Sequence, residues 1–151
     1  MRALVQRVTR AQVRVDGRPT GTIANGLLVL LGATHGDDAA AAEWLARKVA
    51  ELRIFGDDAG RMNLDVRQAK GAALVIPQFT LYGDARRGRR PDFLSAAPPD
   101  LARPLVDRFC DALADAGLDV ARGVFGAHME VELVNDGPVT LMIESPSPDR
   151  A

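Results

Sequence analysis

Residues Leu27 to Leu31 form an unbroken run of five aliphatic side chains. A strand sends successive side chains to opposite faces, so such a run needs cover on both. That requirement predicts a layered domain with a sheet in its middle. In residues 11–16, Ala11, Val13 and Val15 alternate with Gln12, Arg14 and Asp16, the period of a half-buried strand. Residues 1–10 alternate in the same way, and Asp16-Gly17 and Asn25-Gly26 are turn dipeptides suited to tight hairpins. A helix is expected over about residues 37–52, with Leu45, Val49 and Leu52 on one stripe and Asp37 or Asp38 as its cap. Ala72 to Ile76 reads as another buried strand. A second helix carries Leu101, Leu105, Phe109 and Leu113 and stops before Gly117; Pro104 belongs in its first turn or bends it. Two alternating strands close the chain. Met129, Val131 and Leu133 share a face of one, Val139, Leu141 and Ile143 a face of the other, and Asn135-Asp136-Gly137-Pro138 joins them.

The expected fold is one α/β domain over residues 1–145, three-layered, with mixed or antiparallel sheets in barrel-like packing and two main helices. A polar, proline-rich tail, 146–151, is expected to fray. With 151 residues, 47% of them hydrophobic, the chain can bury a real core. A net charge of −1 gives no general attraction to nucleic acid, so any such contact must come from positive charge gathered in one place. Cys110 is the only cysteine, which excludes an intrachain disulfide and fits a reducing compartment. No apolar run approaches the ~20 residues of a membrane span, and residues 1–10 lack a signal-peptide core. A cytoplasmic location with no membrane partner is the expectation.

Common catalytic signatures are missing: there is no Walker A loop, dinucleotide fingerprint, GxSxG elbow or HExxH. His35 and His128 lack metal-ligand spacing and read as structural or surface residues; Cys110, in an apolar helix, reads as a small core residue. Three segments remain. Pro77-Gln78-Phe79-Thr80-Leu81 follows a buried strand, where sites collect in layered α/β folds, and brings an amide, a hydroxyl and turn N–H groups. From spacing alone, a strand end satisfying its own backbone is the favoured reading. Arg86-Arg87-Gly88-Arg89-Arg90 puts four arginines in five residues, either a solvated loop or a phosphate-contact site. Composition does not separate those two. Asn135 to Pro138 reads from composition as an ordinary turn, although an X-Pro bond takes the cis form at a cost of only about 0.5–1 kcal/mol.

Taken together and in order, these segments resemble the D-aminoacyl-tRNA deacylase family along nearly the whole chain. The resemblance rests on Met1 to Val8, Leu27 to Gly32, and Asn63-Leu64 after Leu52-Arg53-Ile54-Phe55. It continues through Gln78 to Tyr82, Gly88-Arg89-Arg90-Pro91, Gly123-Val124-Phe125-Gly126-Ala127, and Asn135 to Thr140. It implies hydrolysis of the ester between an amino acid and the 3′-terminal adenosine of tRNA, by a homodimer with its site near the subunit interface. It implies a cis Gly137-Pro138 peptide reaching into the partner's pocket, held by Arg7. Catalytic roles fall on Gln78, Phe79 and Thr80, and substrate contacts on Arg7, Pro77, Phe125, Met129, Gly137 and Pro138. Arg86, Arg87, Arg89 and Arg90 would meet tRNA phosphates. The family usually carries Ser where this chain has Pro77. A related group that tolerates small L-amino acids carries Pro there, but differs at the positions of Phe79 and Arg7 and has a trans Gly-Pro bond.

No general base stands near Thr80 in the sequence, and a hydroxyl without an activating partner is a weak nucleophile. The expected mechanism is therefore non-covalent. Backbone N–H groups around Phe79 and Thr80 stabilise the oxyanion, and the substrate's own 2′-hydroxyl orients water. Neither metal nor organic cofactor is implied. Chirality would be set by a fixed carbonyl that blocks L side chains, which leaves glycyl-tRNA partly accepted. Two other readings stay open: an RNA-binding module without catalysis, and an editing deacylase for glycyl- or small L-aminoacyl-tRNA.

Overall fold

Strand β1 (Arg2–Val15) is the spine of a six-stranded sheet in the computed structural model, which describes residues 1–147. Asp16 and Gly17, at φ 51° and 75°, turn β1 back into its antiparallel neighbour β2 (Arg18–Ile23), the two-residue hairpin their side chains favour. Asn25-Gly26 does not make a second such hairpin. Strand β3 (Gly26–Gly32) also pairs with β1, so β2 and β3 take successive halves of one long strand and are not neighbours. Helix α1 (Ala39–Ala50) and a small hairpin, β4 (Phe55–Gly56) and β5 (Met62–Leu64), then lead to β6 (Ala72–Pro77), parallel to β3. Helix α2 (Pro99–Asp115) leads to β7 (Val120–Arg122), parallel to β6. Parallel neighbours require such crossovers.

The Leu27–Leu31 run is covered on both faces, as its composition demands. Leu27, Val29 and Leu31 enter a core with Leu45 and Val49 of α1 and Phe109 and Leu113 of α2. Leu28 enters a second core with Val8, Val13, Ile23 and Leu74. This second core forms because the sheet curls over itself: β2 lies so close to β7 that a β-carbon on Gly21 would stand 2.9 Å from the Arg122 carbonyl oxygen. The result is helices, central sheet and returning arm, three layers with a nearly closed barrel.

Asp38 caps α1, its Oδ1 accepting from the Ala41 N–H at 2.9 Å, while Asp37 accepts from the Thr34 N–H. In α2, Pro99 takes the first-turn place, and Pro104 lies inside the helix rather than in its first turn. The helix begins earlier than its apolar stripe suggests, because proline itself is a good first residue. Cys110 is fully buried there, and burial pushes its thiol up to about 11.

The two expected C-terminal strands are one. Strand β8 (Glu130–Glu144) runs antiparallel to β1 throughout, and the expected turn is a bulge within it. Between the Gln6–Thr140 and Val8–Asn135 pairs, β1 contributes only Arg7 while β8 contributes residues 136–139. Of the expected tail, residues 148–151 lie outside the described residues.

Candidate active site

Strands β3 and β6 end side by side at Leu31 and Pro77. Ligands collect outside the carboxyl ends of parallel strands, and here that end opens on a pocket of about 560 Å³. Pro77, Gln78, Phe79, Phe125 and Met129 all line it, so five of the predicted site residues do come together. The Gln78 backbone N–H donates to the Leu31 carbonyl at 2.8 Å, which fixes where the strand hands over to a 3-10 turn, Phe79–Tyr82. The Gln78 side-chain amide donates to the Thr80 hydroxyl, and Thr80 is exposed. The N–H groups of Leu81 and Gly83 donate back to the Gln78 and Thr80 carbonyls. Those of Phe79 and Thr80 precede any intrahelical acceptor, as the first N–H groups of a helix do.

The far end of this turn is gripped by Arg2. Its Nη1 donates to the Leu81 carbonyl at 3.0 Å, its guanidinium lies 4.4 Å from the Tyr82 ring centroid, and its Nε donates to Glu144 of β8. The residues that chemistry would use are therefore mounted between a buried strand end and an arginine clamp.

The bulge in β8 lies elsewhere, and neither Gly137 nor Pro138 lines the pocket. The Gly137-Pro138 peptide is cis, and both residues are exposed. Asn135 closes the base of the bulge: its Oδ1 accepts from the Val139 N–H and its amide donates to the Thr140 hydroxyl, each at 2.9 Å. Arg7, the one residue of β1 opposite the bulge, donates from Nε to the Asp136 carbonyl at 3.0 Å and from Nη1 to the Ile54 carbonyl at 2.6 Å. Gly137 has φ +138°, and a β-carbon there would stand 2.8 Å from Val139 Cγ2 and 3.1 Å from Arg7 Nη2.

The arginine loop leaves from the pocket mouth. Backbone hydrogen bonds in both directions between Asp84 and Asp92 close its base, and Phe93, the next residue, lines the pocket and packs edge-on against Phe79 at 5.3 Å. Arg86 is already occupied: Asp84 accepts from its guanidinium, and the Asp84 carboxyl is held down at about 2 by that contact. Arg87, Arg89 and Arg90 are exposed and have no ion-pair partner among the described residues.

Sequence reasoning missed part of the wall. His128 lines the pocket and is exposed, as does Phe93, and α2 contributes Ala102 and Val106. Phe93 and His128 flank segments already singled out, but small apolar residues on a helix carry no signal beyond core packing. His35 is structural, bonded through Nε2 to the Leu94 carbonyl oxygen at 2.9 Å. No group of three or more His, Cys, Asp or Glu side chains suited to a metal occurs among the described residues, and none of their helices is long and apolar enough to cross a membrane.

An open, mostly apolar pocket has the Gln78 amide in its wall, the Thr80 hydroxyl hydrogen-bonded to that amide but outside the lining, and a loop with free arginines on Phe93's side of it, an arrangement suited to an enzyme whose substrate carries phosphate. Comparison with known proteins agrees. The chain is 59% identical over 145 residues to a D-aminoacyl-tRNA deacylase of Thermomicrobium roseum, covering 96% of this chain and 94% of that one. It is 58% identical over the same length to a D-aminoacyl-tRNA deacylase of Anaeromyxobacter dehalogenans, covering 96% and 97%. A solved structure described as c-Myc DNA Unwinding Element Binding Protein superposes with TM-score 0.91 at 38% identity, covering 97% of this chain and all of that one. A probable eukaryotic D-amino acid tRNA deacylase shares the fold, with TM-score 0.81 at 18% identity over 95% of this chain and 98% of that one. The molecule is thus a hydrolase of the deacylase class. The chain belongs to the D-Tyr-tRNA(Tyr) deacylase family, whose profile matches residues 4–144.

Proposed function

We propose that the protein hydrolyses the ester of D-aminoacyl-tRNA in the pocket lined by Pro77, Gln78 and Phe79, beside Thr80, acting as a homodimer in which the Gly137-Pro138 bulge of each subunit enters the pocket of the other. The observation that carries this reading is the separation of two finished parts. The pocket is open and unfilled by its own chain, while the bulge is braced by Arg7 and Asn135 yet faces solvent. The outer edge of β8, with Val134, Leu141 and Met142 exposed along the strand, supplies apolar surface for a second copy.

In this mechanism the N–H groups of Phe79 and Thr80 stabilise the oxyanion of the attacked ester. Gln78 orients the Thr80 hydroxyl, and the substrate's 2′-hydroxyl orients water. The carbonyl of the partner's bulge stands near the substrate α-carbon and rejects L side chains. Glycine has no side chain to reject, so glycyl-tRNA is a secondary substrate. Pro77 shapes the wall, and Phe79 and Arg7 keep the site on the D-specific side. Release of amino acid from D-tyrosyl-, L-tyrosyl- and glycyl-tRNA tests all of this at once. D-Tyrosyl-tRNA should be cleared fastest and glycyl-tRNA measurably, with L-tyrosyl-tRNA spared. Equal rates on the D and L forms would remove the chiral filter, and tRNA binding without hydrolysis would favour a binding module.

A further inference from the structure

We propose that Arg103 is a substrate-binding residue that holds the 5′-phosphate of the substrate's terminal nucleotide, the phosphate nearest the ester. This rests on the deacylase reading above. Arg103 lies in α2 beside Ala102, which lines the pocket, and its guanidinium stacks 4.5 Å from the centroid of the Phe125 ring, another lining residue. The side chain is exposed, and among the described residues no carboxylate pairs with it. Of its acidic neighbours on the helix, Asp100 at i−3 makes no ion pair with it, and Asp107 at i+4 is turned to Arg122, at 3.4 Å. A cation fixed on an aromatic face keeps its N–H fork directed outward and available.

Position separates Arg103 from the arginine loop. The loop projects beyond Phe93 from a base closed at Asp84 and Asp92, whereas Arg103, outside the lining itself, is seated on the ring of Phe125, a residue of the pocket wall. In this arrangement a nucleoside lodged among Pro77, Phe79 and Phe125 sends its 5′ side out over the Phe125 rim. The first phosphate outside is within reach of a rim guanidinium, and later phosphates fall to the loop. Arginine suits the task because its planar fork pairs bidentately with phosphate oxygens.

The test uses two hydrolysis-resistant probes, D-tyrosyl-adenosine with an amide in place of the ester, with and without a 5′-phosphate. Wild type should bind the phosphorylated probe roughly tenfold more tightly, as a charge-assisted hydrogen bond at an exposed rim allows. Arg103→Gln should erase that difference and leave affinity for the unphosphorylated probe unchanged, while Arg103→Lys should restore part of it. Equal loss on both probes would mean that Arg103 merely holds Phe125, and an intact phosphate preference in Arg103→Gln would place the contact elsewhere; either overturns the proposal. Failure of the wild type to bind either probe would count against the deacylase reading itself.

Discussion

The Pro77–Tyr82 segment and the Asn135–Val139 bulge each meet an arginine, but differ in what else holds them. The first continues a strand buried on both faces, so the core beneath it sets its course and Arg2 secures only its far end. The second is expelled from its ladder and stays in place through side chains that reach for its backbone: Arg7 from β1 and Asn135 from its own base. A segment built on a core tolerates change at its surface, because the core keeps its course. A segment held by a few polar contacts transmits any local change into its own direction. If the bulge is the chiral filter and the pocket the chemical site, the two should respond very differently to removal or addition of a few atoms.

Gly137→Ala should give the largest effect. The new β-carbon meets Val139 and Arg7 at a backbone angle that L side chains rarely adopt, so the bulge must shift. Folding should suffer little, by about 1–2 kcal/mol, because Gly137 is exposed and only local strain is added. Hydrolysis of D-tyrosyl-tRNA should fall roughly a hundredfold, the penalty for displacing a positioning element by about 1 Å. Thermal melts beside single-turnover rates check the contrast. An activity loss no larger than the stability loss explains would strip the bulge of its special role.

Thr80→Ala probes the pocket side and should do much less. Thr80 is exposed and its hydroxyl accepts one neutral hydrogen bond, from Gln78. Losing such a bond costs about 1 kcal/mol, a rate effect under roughly tenfold, provided the hydroxyl is not the nucleophile. Turnover should persist in the variant, and acid quenching of the wild type should trap no acyl-enzyme. Loss of all activity, or an acyl group found on Thr80, would make the turn beside the pocket the sensitive region and reverse the comparison.

The same contrast explains what the sequence made legible. The Leu27–Leu31 run and the Ala72–Ile76 strand announce themselves because hydrophobic burial follows a period that can be read along the chain. The strand end at Pro77 is therefore legible along the chain itself. The bulge is not: Met129 to Leu133 and Val139 to Ile143 carry the right alternation, yet nothing local says that both halves pair with β1 in one direction. That outcome is decided by β1, which is long enough at 14 residues to take β8 along its whole length. Asn25-Gly26 misled for the same reason, since strand pairing is chosen by partners distant in sequence. The helical wall from Ala102 and Val106 left no trace, because a small apolar residue looks the same facing a core or facing a pocket.

The smallest expected effect lies in the arginine loop, where neighbouring residues of one type differ by their partners. Arg89 and Arg90 are unpaired among the described residues, whereas Arg86 is engaged by Asp84 through both carboxylate oxygens. Each free arginine that meets a tRNA phosphate contributes to the salt dependence of binding, by about 0.7–0.9 in the slope of log K against log[salt]. Arg89→Ala and Arg90→Ala should each flatten the slope by about that amount. Arg86→Ala should change it far less, because Arg86 is held by Asp84 and, while so paired, contacts no phosphate whose counterions would be released. Asp84 has its carboxyl lowered to about 2, chiefly by the hydrogen bond from Arg86, so it is ionised above that pH and the pair is lost only as the pH falls through that value. Binding isotherms at several salt concentrations near neutral pH therefore compare the three variants with the Asp84–Arg86 pair intact wherever Arg86 remains. Equal slopes for all three would show that the loop rearranges on tRNA and that its resting ion pair sets nothing.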